Sequence, residues 1–224
     1  MKLSVIIVNF NHKYFPRLAV EALEKSKVNF PYEIIVVDNA SHDEESMGFL
    51  EQAHQEKRIV LIKSPVNLGF GRGNNLGVEY AKGRYVFFHN PDVTVQEDSL
   101  QKMVDYFEQH HDIGILGPKL MYSSGKIQES CRRNMKWTDL VFKRTFLGKL
   151  PFFRKRVKKY LMEDFDLCRM VKKTGFRVVY YPDAVMMHYH KRLSGGSFFK
   201  MLTKKVFWLH VASAWKYFWK WKHG

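Results

Sequence analysis

Leu3-Ser4-Val5-Ile6-Ile7-Val8-Asn9-Phe10-Asn11 decides the fold. Its apolar, β-branched residues follow one another without the alternation of a half-wet strand. That is the pattern of a strand buried in a sheet, and it ends on two asparagines. Comparable runs stand at Glu33 to Val37, Ile59 to Ile62 and Tyr85 to Phe88, while Pro16 to Lys25, Glu45 to Gln55 and Asn74 to Ala81 have helical spacing. The order β-α-β-α-β-α-β predicts an α/β protein with a mainly parallel sheet, right-handed crossovers and a ligand site at the carboxyl ends of the strands. Beyond it, a helix is predicted over Ser99 to Gln109, a strand over Ile113 to Leu116, and a late strand pair over Arg177 to Tyr181 and Ala184 to Met187.

The bulk properties narrow the classes of partner. A chain of 224 residues, 46% hydrophobic, can bury one sizeable core. Lys and Arg number 37 against 22 acids, and the net charge of +15 favours a polyanionic neighbour: nucleic acid, anionic lipid or a phosphorylated substrate. Cys131 and Cys168 stand in no metal spacing, which argues against a disulfide framework or cysteine zinc site and fits a reducing compartment. The N-terminal run is too short for a signal-peptide core, and no run reaches the roughly 18 apolar residues of a spanning helix.

Polar clusters sit where the predicted strands end. Asp38-Asn39-Ala40-Ser41 reads either as an Asx turn with a helix cap or as a base-binding end, Asp38 accepting the imide N–H of uracil or thymine with Asn9 or Asn11 beside it. Asn67-Leu68-Gly69-Phe70-Gly71-Arg72-Gly73-Asn74 follows a strand and opens a helix. Its amides suit a diphosphate, the alternative being a glycine turn with an asparagine cap. It matches neither the GxGxxG dinucleotide fingerprint nor a GxxxxGK[ST] phosphate loop, which argues against ATP-driven chemistry. Asn90-Pro91-Asp92 must leave the ladder at Pro91, so Asp92 is either a turn residue or a ligand for a hard cation whose other positions go to phosphate and water. Glu163 and Asp164 are adjacent and diverge by roughly 100° on a helix, so at most one of them aims at a given atom; a macrodipole role is the alternative. His188 closes Pro182-Asp183-Ala184-Val185-Met186-Met187-His188 and reads either as a packed histidine or as a site residue.

Taken in order, Ser4 to Asn11, Val37 to Ser41, Asn67 to Gly71 with Asn74-Asn75, Asn90 to Asp92, Glu163 to Arg169 and Pro182 to His188 resemble family 2 glycosyltransferases of the rhamnosyltransferase-like branch, over residues 3 to about 194. The resemblance implies a GT-A fold, a nucleoside-diphosphate sugar donor and inversion at the anomeric carbon, with a glycan or lipid-linked acceptor in cell-surface polysaccharide synthesis. It implies rhamnose as the first donor sugar to try, then uridine-diphosphate sugars. Carried over, Asn9, Asn11, Asp38, Asn39, Asn67, Gly69, Gly71 and Asn74 would line the nucleotide, while Asn90, Asp92 and His188 would hold Mn²⁺ or Mg²⁺. Asp164, or failing it Glu163, would be the general base. One departure stands out: family members usually carry a few dozen residues before the Glu-Asp motif, whereas Lys158-Lys159-Tyr160-Leu161 runs straight into Met162-Glu163-Asp164. A segment missing near residues 160–163 would weaken acceptor binding, and an inactive sugar-nucleotide binder is the alternative reading.

The expected division is a catalytic domain over residues 1–194, including a basic tract at 143–159, and a basic aromatic helix over 195–224 after the Ser194-Gly195-Gly196-Ser197 hinge. Trp and Lys at helical spacing suit an anionic bilayer surface, so the expected location is cytoplasmic, peripheral on the inner face of the membrane. A nucleic-acid-binding module is the competing class; no recognised motif supports it, and nucleic acid is not expected as a partner.

Overall fold

The computed structural model describes residues 1–128, 162–189, 212 and 215–221, with the side chains of 162–165 left out of the description. The basic tract, the junction at residues 160–161, the hinge at 194–197 and residues 198–211 fall outside these residues. The chain divides into two compact units, residues 1–130 with 179–191, and residues 131–178 with 192–224.

The first unit is built on a parallel four-stranded sheet in the order β3-β2-β1-β4, from β1 (Leu3–Asn9), β2 (Tyr32–Asp38), β3 (Val60–Lys63) and β4 (Tyr85–His89). All seven residues of β1 are buried, as a central parallel strand requires. Val5 and Ile7 join the main core with Ala19, Val20 and Leu23 of α1 (Phe15–Glu24) and Leu50 and Ala53 of α2 (Glu44–Gln55). The other face of β1 meets α3 (Phe70–Glu79) at very short range: a Cβ on Gly73 would lie 2.9 Å from a Val8 methyl, and one on Gly77 would lie 2.5 Å from an Ile6 methyl. Two glycines one turn apart thus let the helix settle against the sheet.

That packing corrects an expectation. The helix expected from Asn74 begins at Phe70, and Asn74 is no cap; it sits one turn inside, buried, its Nδ2 donating to the Phe70 carbonyl at 3.0 Å. The break comes at Gly69, whose φ of 79° and ψ of 169° suit glycine alone. Low helix propensity at Gly73 and Gly77 is outweighed by burial of the face they open.

The chain reverses direction in the sheet after β3, since β4 pairs with the far side of β1. In open α/β sheets such a switch, here between β1 and β4, is where ligands bind, beyond the carboxyl ends of the strands. Past β4 comes a second sheet in the order β5-β7-β6, from β5 (Val93–Val95), β6 (Ile113–Tyr122) and β7 (Arg177–His188). Helix α4 (Ser99–Gln109) coincides with the expected span, its buried Ser99, Leu100, Met103 and Val104 forming one stripe. Two strand readings are corrected. β6 runs on to Tyr122, and the late strand pair is a single strand in which Pro182 and Asp183 occupy exposed positions. Proline is compatible with extended backbone and forfeits only one ladder donor.

In the second unit, α5 (Met162–Lys173) carries Glu163 and Asp164 in its first turn. Residues 215–220 are helical, with Tyr217 and Phe218 buried. Among the described residues, no helix is long and apolar enough to cross a membrane.

Candidate functional site

Register places Asn9 beside Asp38, and Asp38 beside Lys63, so the first three strands finish level with one another. Their ends are joined by side chains. Asn9 is fully buried; its Nδ2 donates to Asp38 Oδ1 at 3.1 Å and to Ser41 Oγ at 3.3 Å. The amide orientation follows from its partner, since a carboxylate accepts and must face the NH₂. Asp38 Oδ2 accepts from the Ser41 backbone N–H at 3.0 Å, three residues on, in a loop turn with Ala40 at φ 62°. The helix cap lies further on, where Asp43 accepts from the Ser46 amide at 2.8 Å.

Asn11 and Ser41 lock the first two loops together: the Asn11 amide donates to Ser41 Oγ at 2.9 Å, and Asn11 Oδ1 accepts from the His42 amide at 2.8 Å. Asn39 ties in the third loop, donating to Asn67 Oδ1 at 2.9 Å and accepting from the Leu68 amide at 2.8 Å. Asn67 Oδ1 also takes the Gly69 amide at 2.8 Å. Gly71 follows in the first turn of α3, where a Cβ would meet open space. Asn9 Oδ1 is buried with no hydrogen-bond partner among the described residues. Such an acceptor costs about 1–3 kcal/mol when left dry.

Beyond the end of β4, the antiparallel ladder of β5 with β7 pairs Val93 with His188. It carries Asp92 to His188, whose Nε2 lies 3.1 Å from Asp92 Oδ2; the Tyr189 amide donates to the Asp92 carbonyl at 2.8 Å. The Gln128 amide oxygen lies 2.6 Å from His188 Nδ1, brought back along β6 by a hairpin at Gly125. Burial alone would raise the Asp92 carboxyl. The hydrogen bond and charge of His188, with the charge of His12, outweigh burial and hold it below the ordinary carboxylate value. Asn90 is exposed, and its carbonyl closes the turn by accepting from the Val93 amide at 3.1 Å.

The structure thus brings together Asn9, Asn11, Asp38, Asn39, Asn67 and Gly69 as one network, and Asp92 with His188 as one pair. Glu163 and Asp164 belong to the other unit, and their side chains are outside the description. Ser41, Gln128 and His12 are additions. Ser41 and His12 could have been read from their place in the loops after β2 and β1, whereas nothing in the sequence marks Gln128.

His89, just before the Asn90 turn, is buried with Nε2 3.0 Å from the Val93 carbonyl. Burial pushes its imidazole down to about 4 from 6.5. The unfolded chain takes up this proton as pH falls through about 6.5, and the folded protein only near 4, so stability is full above the first value and is lost between the two. About 2 kcal/mol should disappear between pH 7 and pH 5, and His89→Gln should remove that component in urea denaturation at the two pH values. An equal loss in the variant would show that other groups carry it.

The chain belongs to glycosyl transferase family 2, whose sequence pattern matches residues 4–173. It is 26% identical over 128 residues to the minor teichoic acid biosynthesis protein GgaB of Bacillus subtilis, covering 56% of this chain and 14% of that protein. An uncharacterized glycosyltransferase of Methanocaldococcus jannaschii is 30% identical over 115 residues, covering 50% and 39%. The poly(ribitol-phosphate) beta-N-acetylglucosaminyltransferase TarS of Staphylococcus aureus is 25% identical over 113 residues, covering 50% and 20%. The chain spans well under half the length of these relatives. In fold it resembles the crystal structure of TarS, with TM-score 0.61 and 18% identity over 85% of this chain and 37% of that one. It also resembles TarS 1–349 in complex with UDP-GlcNAc, with TM-score 0.58 and 18% identity over 88% and 60%. The α/β architecture is that of the GT-A fold.

Proposed function

We propose that the chain is the catalytic region of an inverting, metal-assisted glycosyltransferase that moves a sugar from a nucleoside diphosphate to a hydroxyl of a cell-surface polymer or its lipid-linked precursor. The observation that carries this reading is that the Asn9–Asp38–Asn39–Asn67 network and the Asp92–His188 pair both follow the carboxyl ends of the paired strands β1 and β4, with His12 of the loop after β1 close enough for its charge to act on Asp92. Relatives named for teichoic acid synthesis and poly(ribitol-phosphate) glycosylation support the polymer, and the UDP-GlcNAc complex supports a uridine-diphosphate sugar as the donor to test first. Rhamnose rests on the sequence resemblance alone.

In this mechanism Asp38 accepts the base imide N–H, and the first-turn amides of α3 face the diphosphate. Asp92 and His188, whose Oδ2 and Nε2 lie 3.1 Å apart, would hold the divalent cation, a carboxylate oxygen and an imidazole nitrogen both being ligands for such an ion. A carboxylate with an imidazole suits Mn²⁺ better than Ca²⁺. No group of three His, Cys, Asp or Glu side chains among the described residues could enclose an ion. Diphosphate oxygens and water would complete the shell, with Asn90, two residues before Asp92, as a further candidate ligand. When bound, the cation would screen the charge gathering on the departing diphosphate. Asp164 takes the proton of the acceptor hydroxyl as its oxygen bonds to the anomeric carbon; the bond from that carbon to the diphosphate oxygen breaks in the same in-line step, and its electrons leave with the nucleotide. An acceptor carried on a membrane lipid would bring this basic chain to the inner face of the membrane.

The test is to incubate the protein with UDP-GlcNAc, Mn²⁺ and a polyol-phosphate acceptor. The expected product carries the sugar in the opposite anomeric configuration, with free UDP released. Binding of UDP without turnover of any sugar nucleotide would favour the inactive binder.

A further inference from the structure

The helical residues 215–220 have two sides of different character. One side is anchored. Tyr217 and Phe218 are buried, the Trp221 indole N–H donates to Asp166 Oδ1 at 2.7 Å, and Lys220 Nζ donates to Asp166 Oδ2 at 2.7 Å. Arg169 and Lys173 of α5 lie over the Trp221 ring at 4.4 and 4.7 Å. The other side carries Trp215 and Trp219, one turn apart, stacked at 6.1 Å between centroids and 59% and 65% exposed. Burying two indoles of this size would be worth several kcal/mol, so leaving both in water is costly unless something covers them.

The surroundings indicate what covers them. Lys216 is exposed between the two tryptophans, and Lys172 and Lys173 are exposed on α5. Asp166 is the one acid among the described side chains of this unit, and it already accepts from Lys220 and Trp221. A paired-indole surface with an exposed lysine beside it, on a unit whose described charged side chains are basic apart from Asp166, is complementary to a layer that is apolar at depth and anionic at its face. A protein partner would need to supply an acidic rim around an apolar pocket, whereas an anionic bilayer presents both everywhere. We infer that Trp215 and Trp219, with Lys216, form the surface by which the chain docks on an anionic lipid bilayer, the indoles at headgroup depth and the lysine on lipid phosphate.

The test uses the full chain and vesicles alone, without donor or acceptor, so its result is independent of the transfer reaction. Sedimentation with vesicles containing phosphatidylglycerol should carry the protein down, and pure phosphatidylcholine vesicles should not. Trp215→Ala combined with Trp219→Ala should lower partitioning by at least about tenfold. Lys216→Glu, which keeps both indoles, should lower it about fivefold or more and flatten its dependence on salt. Matching circular dichroism of the variants shows that they fold. Unchanged partitioning in both variants overturns the inference. So does a concentration-dependent dimer, or binding to single-stranded oligothymidine, that is lost in the tryptophan variant while vesicle binding is absent from the wild type.

Discussion

Asp164→Asn is expected to lower sugar transfer by roughly 10²–10⁴-fold while leaving UDP affinity within a factor of about two, because a general base acts on the acceptor proton and contributes nothing to holding the donor. The two acidic residues are neighbours in the first turn of α5, and adjacent helix positions diverge by roughly 100°, so one base rather than two is expected from this motif. Glu163→Gln should therefore cost transfer far less than Asp164→Asn. The assay is release of UDP with acceptor present, alongside calorimetric titration of UDP. An active Asp164→Asn variant with an inactive Glu163→Gln variant would exchange the two roles, and full activity in both would remove the base from this motif.

The second large effect is expected at Asp92. Asp92→Asn should weaken Mn²⁺-dependent UDP binding by at least about 100-fold, since even the outer partners of a metal ligand are worth 10–100-fold in affinity. The metal-free component of binding should be unchanged, because the Asn9–Asp38 network is separate from the Asp92–His188 pair. His188→Ala should cost less, about tenfold, as one nitrogen ligand among several ligands. An Asp92→Asn protein that keeps its Mn²⁺-dependent affinity would place the cation on other residues.

Much of the framework was legible because parallel strands buried on both faces announce themselves as unbroken apolar runs. β1 and β2 differ from their expected spans by no more than a residue or so at either end. Helix α4 was legible for a similar reason, its apolar spacing being undisturbed by glycine or proline. The start of α3 was not, because Gly73 and Gly77 look like loop residues until the closeness of Val8 and Ile6 gives them a purpose. Nor was β5: three residues are too few to show a period, and Val93-Thr94-Val95 is a strand only because β7 offers it a ladder.

The site divides along the same line. That asparagines and Asp38 gather at strand ends follows from the topology, and the sequence order shows it. Which side chain donates to which does not, so the cross-links from Asn39 to Asn67 and from Asn11 to Ser41 emerge only from the register. Asp92 and His188 are 96 residues apart, and their pairing depends on the β5 ladder that the sequence conceals. Gln128 lies beside His188 through a hairpin with no motif of its own.

The most direct measurement of the central claim is the crystal structure of the protein with UDP and Mn²⁺. The base imide N–H is expected within hydrogen-bond distance of the Asp38 carboxylate, and Mn²⁺ between Asp92, His188 and the diphosphate oxygens. Nucleotide bound away from the carboxyl ends of β1 and β2, or Mn²⁺ on the diphosphate with neither Asp92 nor His188 among its ligands, would contradict the account.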